Sequence, residues 1–306
     1  MASPHLAVHL GLRSGVGGGG GWGSRSEGWL TMPSSRALGL GLELRVPSSG
    51  DAAGRDFALL AELVEAAEAA GYGSVWLRGQ SPGALGIDPV PVVGALVERT
   101  GSLGLGVACA GGDGRHPAIL ARDLTTLDVL SGGRAALCLG GSATGPDATA
   151  RLSESAQICR LLFSQDDTAV TFHGAHFSVQ FAVNRPPPEQ ADGPPLLVDL
   201  PAGVDAGFDA VLPVVDGLVV DGPIDAVAAA RRRIEAVAGP AGIAIPLLVW
   251  RGSLADSGTD WATVVGAVTG VGADSVIVRL GERRPVTPRD VTEAASEILP
   301  VLQRAA

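Results

Sequence analysis

The chain has 306 residues, a formal net charge of −10 with 22 basic residues, and 46% hydrophobic content. That length accommodates one large domain or two smaller ones. The acidic balance argues against nucleic acid, which takes a basic surface to displace counterions. No apolar stretch reaches membrane-spanning length without charge, Gly or Pro. Every basic residue is Arg, and the absence of Lys excludes a Schiff-base lysine, a pyridoxal phosphate anchor and a P-loop lysine.

In chain order, residues 1–31 do not read as folded, because a glycine run at 17–21 sits among Ser, Gly and Arg. The apolar residues 6–12 are too few and too broken for a secretory segment. We expect residues 1–37 to be a disordered extension and 38–306 to be one domain. From Leu38 a rhythm begins. Residues 38–46 read as a strand, 56–70 as a helix with Phe57, Leu60, Val64 and Ala67 on one side, and 74–78 as a strand. A helix over 89–99 and a strand over 103–108 follow.

Residues 115–140, RHPAILARDLTTLDVLSGGRAALCLG, then supply the third helix and fourth strand. Pro117 stands where a helix can spare its N–H. Leu120, Leu124, Leu127 and Leu130 form the expected apolar stripe, and Ser131-Gly132-Gly133 suits a left-handed cap. Residues 135–139 are an unbroken apolar run, as in a strand covered on both faces.

A fourth helix is expected at 147–163, and then the rhythm breaks over 164–194. Residues 170–179 alternate around a Gly and read as a hairpin. Strands at 196–200, 217–220, 245–250 and 275–280 resume the pattern. Between them lie a weak helix near 204–211, a helix from Pro223 with Ile224, Val227, Ile234 and Val237 inward and a stop at Gly239-Pro240, and a helix at 261–271. Thr287-Pro288-Arg289-Asp290 resembles a capping box and opens the last helix.

Eight strand–helix alternations with nearly continuous apolar strands predict an α/β fold, a (β/α)8 TIM barrel with a short hairpin-containing insertion after helix 4. An open doubly wound sheet is the alternative, but no G-x-G-x-x-G follows the first strand. In such barrels the site lies at the C-terminal ends of the strands. Candidates there are Arg78, Gly79, Gln80 and Asp88; Cys109, Asp113, Arg115 and His116; Gly140 to Gly145; Asp199, Pro201 and Gly203; Asp221 and Gly222; and Arg251 and Ser253.

Their roles stay open on spacing alone. Gly140 to Gly145, with Ser142 and Thr144, suits an anion-binding loop or a plain flexible one. Arg115 and His116 suit contact with a phosphate or polarised carbonyl, or simple packing at a helix start. Ser142 lies outside any G-x-S-x-G elbow, which weakens a hydrolase reading. Cys109, Cys138 and Cys159 lack C-x-x-C spacing and read as free thiols in a reducing, cytoplasmic setting. His173 and His176 could form a ligand pair, but no third ligand is near in sequence and structural use is the expectation.

The 115–140 segment resembles the central motif of the bacterial luciferase-like monooxygenases, barrels that use reduced FMN or the deazaflavin F420. Residues 65–76, EAAEAAGYGSVW, are similar to that family's first helix and second strand. Asp88-Pro89 and Arg99-Thr100 fit its second helix, FHGAHF at 172–177 its hairpin insertion, and VDGLVV at 215–220 its sixth strand. The likeness spans Leu38 to about Arg304.

The resemblance implies a flavin-type ring over the barrel mouth, against Ala108, Cys109, Gly140, Gly141 and Ser142, with Arg115 beside it. The cofactor phosphate would lie near Ala202 and Gly203. Gln80 and His116 would be polar helpers in catalysis on a small organic substrate, the cofactor carrying the redox chemistry. A homodimer through barrel helices is also implied. The chain departs from the family in four places, one of them a brief loop after strand seven where many relatives have a long one. Arg78-Gly79-Gln80 stands where many relatives carry His, Ala143 where F420-using relatives often carry an acid, and Leu200-Pro201-Ala202-Gly203 where a Gly-Gly pair is usual. A specialised oxidoreductase and a non-catalytic paralogue that binds a ligand or partner subunit both suit intact scaffold motifs with altered site motifs.

Overall fold

The computed structural model of the chain describes residues 39–46, 53–79, 87–109, 115–140, 147–164, 168–200, 209–253, 260–280 and 285–305. Eight parallel strands close into a barrel: β1 (Gly39–Arg45), β2 (Ser74–Arg78), β3 (Gly104–Cys109), β4 (Ala135–Leu139), β7 (Leu196–Leu200), β8 (Gly217–Asp221), β9 (Leu247–Gly252) and β10 (Ser275–Arg279). β1 pairs with β2 on one side and β10 on the other, which completes the ring. β5 (Val170–His173) and β6 (Ser178–Ala182) form the antiparallel hairpin outside it. The expected barrel and its hairpin-containing insertion are thus both present.

Helices α1 (Ala53–Ala69), α2 (Pro89–Leu96), α3 (Pro117–Ser131), α4 (Ala148–Phe163), α5 (Ile224–Ala241), α6 (Trp261–Gly270) and α7 (Pro288–Ala305) surround the barrel. One apolar core fills the space between strands and helices, and a second fills the lumen. The lumen is packed around the buried indole of Trp76. Its neighbours supply the room, because a Cβ on Gly106 would lie 2.2 Å from Trp76 Cε3. Tyr72 Oη donates to the Val291 carbonyl at 3.2 Å and ties the β1–β2 side to the last helix.

The central segment forms much as its sequence dictates. Gly132 adopts the left-handed cap (φ 67°, ψ 46°), and its N–H reaches the Asp128 and Val129 carbonyls. Leu120, Leu124 and Leu127 are buried, but Leu130 is 62% exposed. Ten residues at about 100° each leave position 130 roughly 80° off the stripe, and Ser131 takes the buried place instead. α5 also differs from expectation, running through Gly239 and Pro240 to Ala241 and capping at Gly242 (φ 65°). A proline in the last turn forfeits a single helical hydrogen bond, so it need not end the helix.

Other boundaries shift by a few residues. The helix expected over 89–99 is α2 followed by a 3-10 turn at Val97–Arg99. The seventh barrel strand starts at Leu247, after Pro246, which has no N–H for the ladder, so Arg251 falls inside β9 rather than beyond it. Most of the weak helix expected near 204–211 lies outside the described residues. The capping box is observed: Thr287 N and Oγ1 each donate to Asp290 Oδ2 at 2.8 Å.

Two carboxylates fix the connections. Glu68 accepts the backbone N–H groups of Gly101, Ser102 and Leu103 ahead of β3. Glu154 on α4 accepts those of Ala175, His176 and Phe177 at 2.7, 2.9 and 2.9 Å, which docks the hairpin turn. Among the described residues, no helix is long and apolar enough to cross a membrane.

Candidate active site

The C-terminal mouth of the barrel is floored by charge. Counting alternate residues along each strand puts Glu43, Arg78, Cys138, Asp199, Asp221, Arg251 and Arg279 on the inward side, one step above the apolar lumen. Six of them form a connected ionic layer. Arg78 Nε pairs with Glu43 Oε1 at 3.0 Å and its Nη2 with Asp199 Oδ2 at 3.1 Å. Arg251 Nη1 reaches Asp199 Oδ1 at 2.7 Å and Glu43 Oε2 at 3.4 Å, and its Nη2 reaches Asp221 Oδ2 at 3.0 Å. Arg279 grips Asp221 with both terminal nitrogens, at 2.8 and 2.9 Å.

Three guanidinium groups thus face three carboxylates, and each carboxylate bridges two arginines. Glu43, Asp199 and Arg251 are only 5%, 6% and 5% exposed. Charges this deep persist only when paired and hydrogen-bonded. Burial opposes the charge on Arg78 and Arg251, but the carboxylates of Asp199 and Glu43 outweigh it and hold both guanidinium groups above their ordinary values. Cys138 Sγ lies 3.5 Å from Asp199 Oδ1. Burial and then the Asp199 charge push the Cys138 thiol well up, so it stays protonated and is no nucleophile.

Asp199 is also the steric centre of the layer. It sits against Gly140, which follows β4, and a Cβ on Gly140 would come within 2.2 Å of Asp199 Cβ. Gly140 has φ 146°, a conformation that side chains rarely adopt. The strand-four glycine therefore makes room for a carboxylate of the neighbouring strand.

The sequence candidates are placed as follows. Ala108 is buried in the lumen wall and Cys109, half-buried, ends β3. Gly140 meets Asp199 at the mouth. Arg115 is engaged by Asp88, and its Nη1 lies 3.6 Å from Asp123. His116 caps α3, its Nδ1 accepting from Ala118 N at 3.2 Å. An accepting Nδ1 puts the proton of the neutral ring on Nε2. The His116 ring meets Phe177 edge-on at 5.6 Å, and the Arg151 guanidinium covers the same Phe177 at 4.9 Å. The hairpin thus touches the start of α3. Gln80, Gly141, Ser142, Ala202 and Gly203 lie outside the described residues. His173 is exposed on the hairpin, with Nδ1 3.2 Å from Ser178 Oγ.

Glu43 and Arg279 were not candidates in the sequence reading. Their signal was parity: each is a charged residue at an inward position after an apolar stretch of its strand, Leu-Gly-Leu-Glu and Val-Ile-Val-Arg. Arg78, Asp199, Asp221 and Arg251 were candidates, and the structure joins them into one network.

A flavin-type ring has an oxygen-bearing edge that takes N–H donors. The floor offers such donors: Arg78 is 18% exposed, and Arg251 Nε is buried with no hydrogen-bond partner among the described residues. The donor set fits a planar, acceptor-bearing cofactor. The segments that follow seven of the eight barrel strands lie outside the described residues, so the floor is what the structure describes of the site.

A closed parallel barrel with a polar, charge-neutral floor at its C-terminal mouth is the architecture of a small-molecule site. The chain belongs to the luciferase-like monooxygenase family, whose sequence profile matches residues 39–249, more than half of its length. No curated protein sequence matches it. Among solved structures it is similar to the monooxygenase RslO1 from Streptomyces bottropensis, at 18% identity and a TM-score of 0.71, covering 86% of this chain and 99% of that one. It is similar to an F420-dependent secondary alcohol dehydrogenase in complex with an F420-acetone adduct, at 15% identity and a TM-score of 0.70, covering 87% and 99%. It also resembles the oxygenating constituent of 3,6-diketocamphane monooxygenase from Pseudomonas putida in complex with FMN, at 12% identity and a TM-score of 0.67, covering 86% and 98%. At these identities the likeness is one of fold.

Proposed function

We propose that the chain is a flavin- or F420-dependent oxidoreductase or monooxygenase acting on a small organic substrate at the C-terminal mouth of its barrel. The observation that carries this reading is the polar floor of guanidinium donors under the mouth of a luciferase-like barrel. Solved structures of the same fold include one holding an F420 adduct and one holding FMN.

In this reading FMN or F420 lies against Ala108, Cys109, Gly140, Gly141 and Ser142, with Arg115, Ala202 and Gly203 nearby, and Gln80 and His116 orient the substrate. The bound cofactor supplies the redox chemistry. The protein's own part is to bind and orient. The ionic layer keeps its donors fixed before any ligand arrives, which lowers the cost of ordering them on binding. His116 offers its Nε2 proton to a polar group while Nδ1 stays committed to the helix cap. Cys138 remains protonated and takes no covalent role.

One observation favours a second reading, a non-catalytic barrel that binds a ligand or partner subunit. The notch at Gly140 is filled by Asp199. Titration with FMN and with F420, each oxidised and reduced, decides between the two. The enzyme reading expects micromolar binding of at least one form, and failure of all four contradicts it. Gly141→Trp is expected to abolish binding and leave the fold intact; unchanged affinity would move the cofactor away from the end of β4.

A further inference from the structure

The strand-two exit holds an arginine in an unusual state of readiness. Arg78 is the last residue of β2, and its guanidinium is gripped from two sides, by Glu43 at 3.0 Å and by Asp199 at 3.1 Å. Those contacts use Nε and Nη2, and Nη1 has no partner among the described residues. The Arg78 side chain is 18% exposed, whereas the side chains of Glu43 and Asp199 are 4% and 7% exposed, so the arginine is more open to the mouth than the carboxylates that anchor it.

We propose that Arg78 is the ligand-reading residue of the mouth, a prefixed N–H donor for a carbonyl or carboxylate oxygen on the bound small molecule. Two features support the assignment. An arginine normally loses rotamer freedom when it is fixed; here the two carboxylates have already fixed it. The surrounding layer is formally neutral, three cations against three anions, so a ligand is chosen by the direction of a hydrogen bond rather than by net charge. Asp199 and Glu43 are then positioning residues that act through Arg78.

The acceptor oxygen belongs either to the cofactor ring, which rests on the function proposed above, or to the organic substrate, and three probes separate the sources. FMN, F420 and benzoate are titrated into the wild type and Arg78→Lys, with melting temperatures measured without ligand. Lysine keeps the charge and the pairing to the carboxylates but loses the rigid fork. Arg78→Gln serves as a second variant if Arg78→Lys fails to fold, since its amide can still donate to Glu43 or Asp199. The expected result is a folded variant that binds one probe about tenfold or more weakly, the worth of one charge-assisted hydrogen bond. A selective loss for FMN or F420 assigns the oxygen to the cofactor, and a selective loss for benzoate assigns it to the substrate. Arg78-dependent benzoate binding with no binding of either cofactor would leave this inference standing and remove the proposed function. Equal affinities in wild type and variant, or no binding of any probe by the wild type, would overturn it.

Discussion

Replacing Asp199 with alanine tests the ionic floor most severely. The carboxylate accepts from Arg251 at 2.7 Å and from Arg78 at 3.1 Å, in a site where it is 6% exposed. Each charge-assisted hydrogen bond is worth about 1.5–3 kcal/mol. Removing one partner of a buried pair typically costs about 3–5 kcal/mol, because the remaining charge is left uncompensated. Glu43 still reaches both arginines, at 3.0 and 3.4 Å, and softens the loss. We therefore expect Asp199→Ala to cost about 3–4 kcal/mol, toward the lower half of that range. Asp199→Asn keeps the shape and one acceptor oxygen and should cost about 1–3 kcal/mol. Equilibrium unfolding in urea, followed by Trp fluorescence and circular dichroism, gives both values. A cost under about 1 kcal/mol for Asp199→Ala would show that the layer does not hold the mouth together.

Four further outcomes follow from the same geometry. Gly140→Ala forces a Cβ against Asp199 at a φ of 146°, so a loss of about 3 kcal/mol or more in thermal or urea unfolding is expected. His116→Ala removes the α3 cap and should cost about 0.5–2 kcal/mol, whereas His116→Asn retains an acceptor and should stay near wild type in the same assay. Burial works to raise the Glu68 carboxyl, but the N–H groups of Ser102, Gly101 and Leu103 outweigh it and hold it below its ordinary value. Its contribution is therefore present above the unfolded-state pKa and lost as pH falls through the folded one, and Glu68→Gln should flatten the acid limb of the urea midpoint. Asp128 slopes the other way: burial raises its carboxyl despite the N–H groups of Gln190, so its ionisation weakens the fold as pH rises from the ordinary carboxylate range through the raised value. Asp128→Asn should remove that slope in the same titration.

The barrel was legible because its signals are local and repeated. Apolar runs such as residues 135–139, caps such as Gly132 and the Thr287–Asp290 box each specify one element, and eight in alternation specify closure. Leu130 misled because spacing alone ignores the drift of a helical stripe over three turns. The floor was only half legible. Position after a strand pointed to Arg78, Asp199, Asp221 and Arg251, but the pairing partners come from strands far apart in sequence, as in the 121 residues that separate Arg78 from Asp199. Glu43 carries no local signal of its partners, because only the closure of β1 against β10 brings it beside Arg251. Gly140 read as part of a cofactor loop, and only the β4–β7 pairing showed Asp199 filling the space beside it.

In the proposed function the barrel mouth receives a flavin-type cofactor over its ionic floor. A crystal structure grown with F420 or FMN tests this most directly. The ring is expected at the C-terminal ends of β3 and β4, with an oxygen within hydrogen-bonding distance of the Arg78 guanidinium. A ring bound away from the mouth, or a mouth that stays without cofactor at saturating concentration, would contradict it.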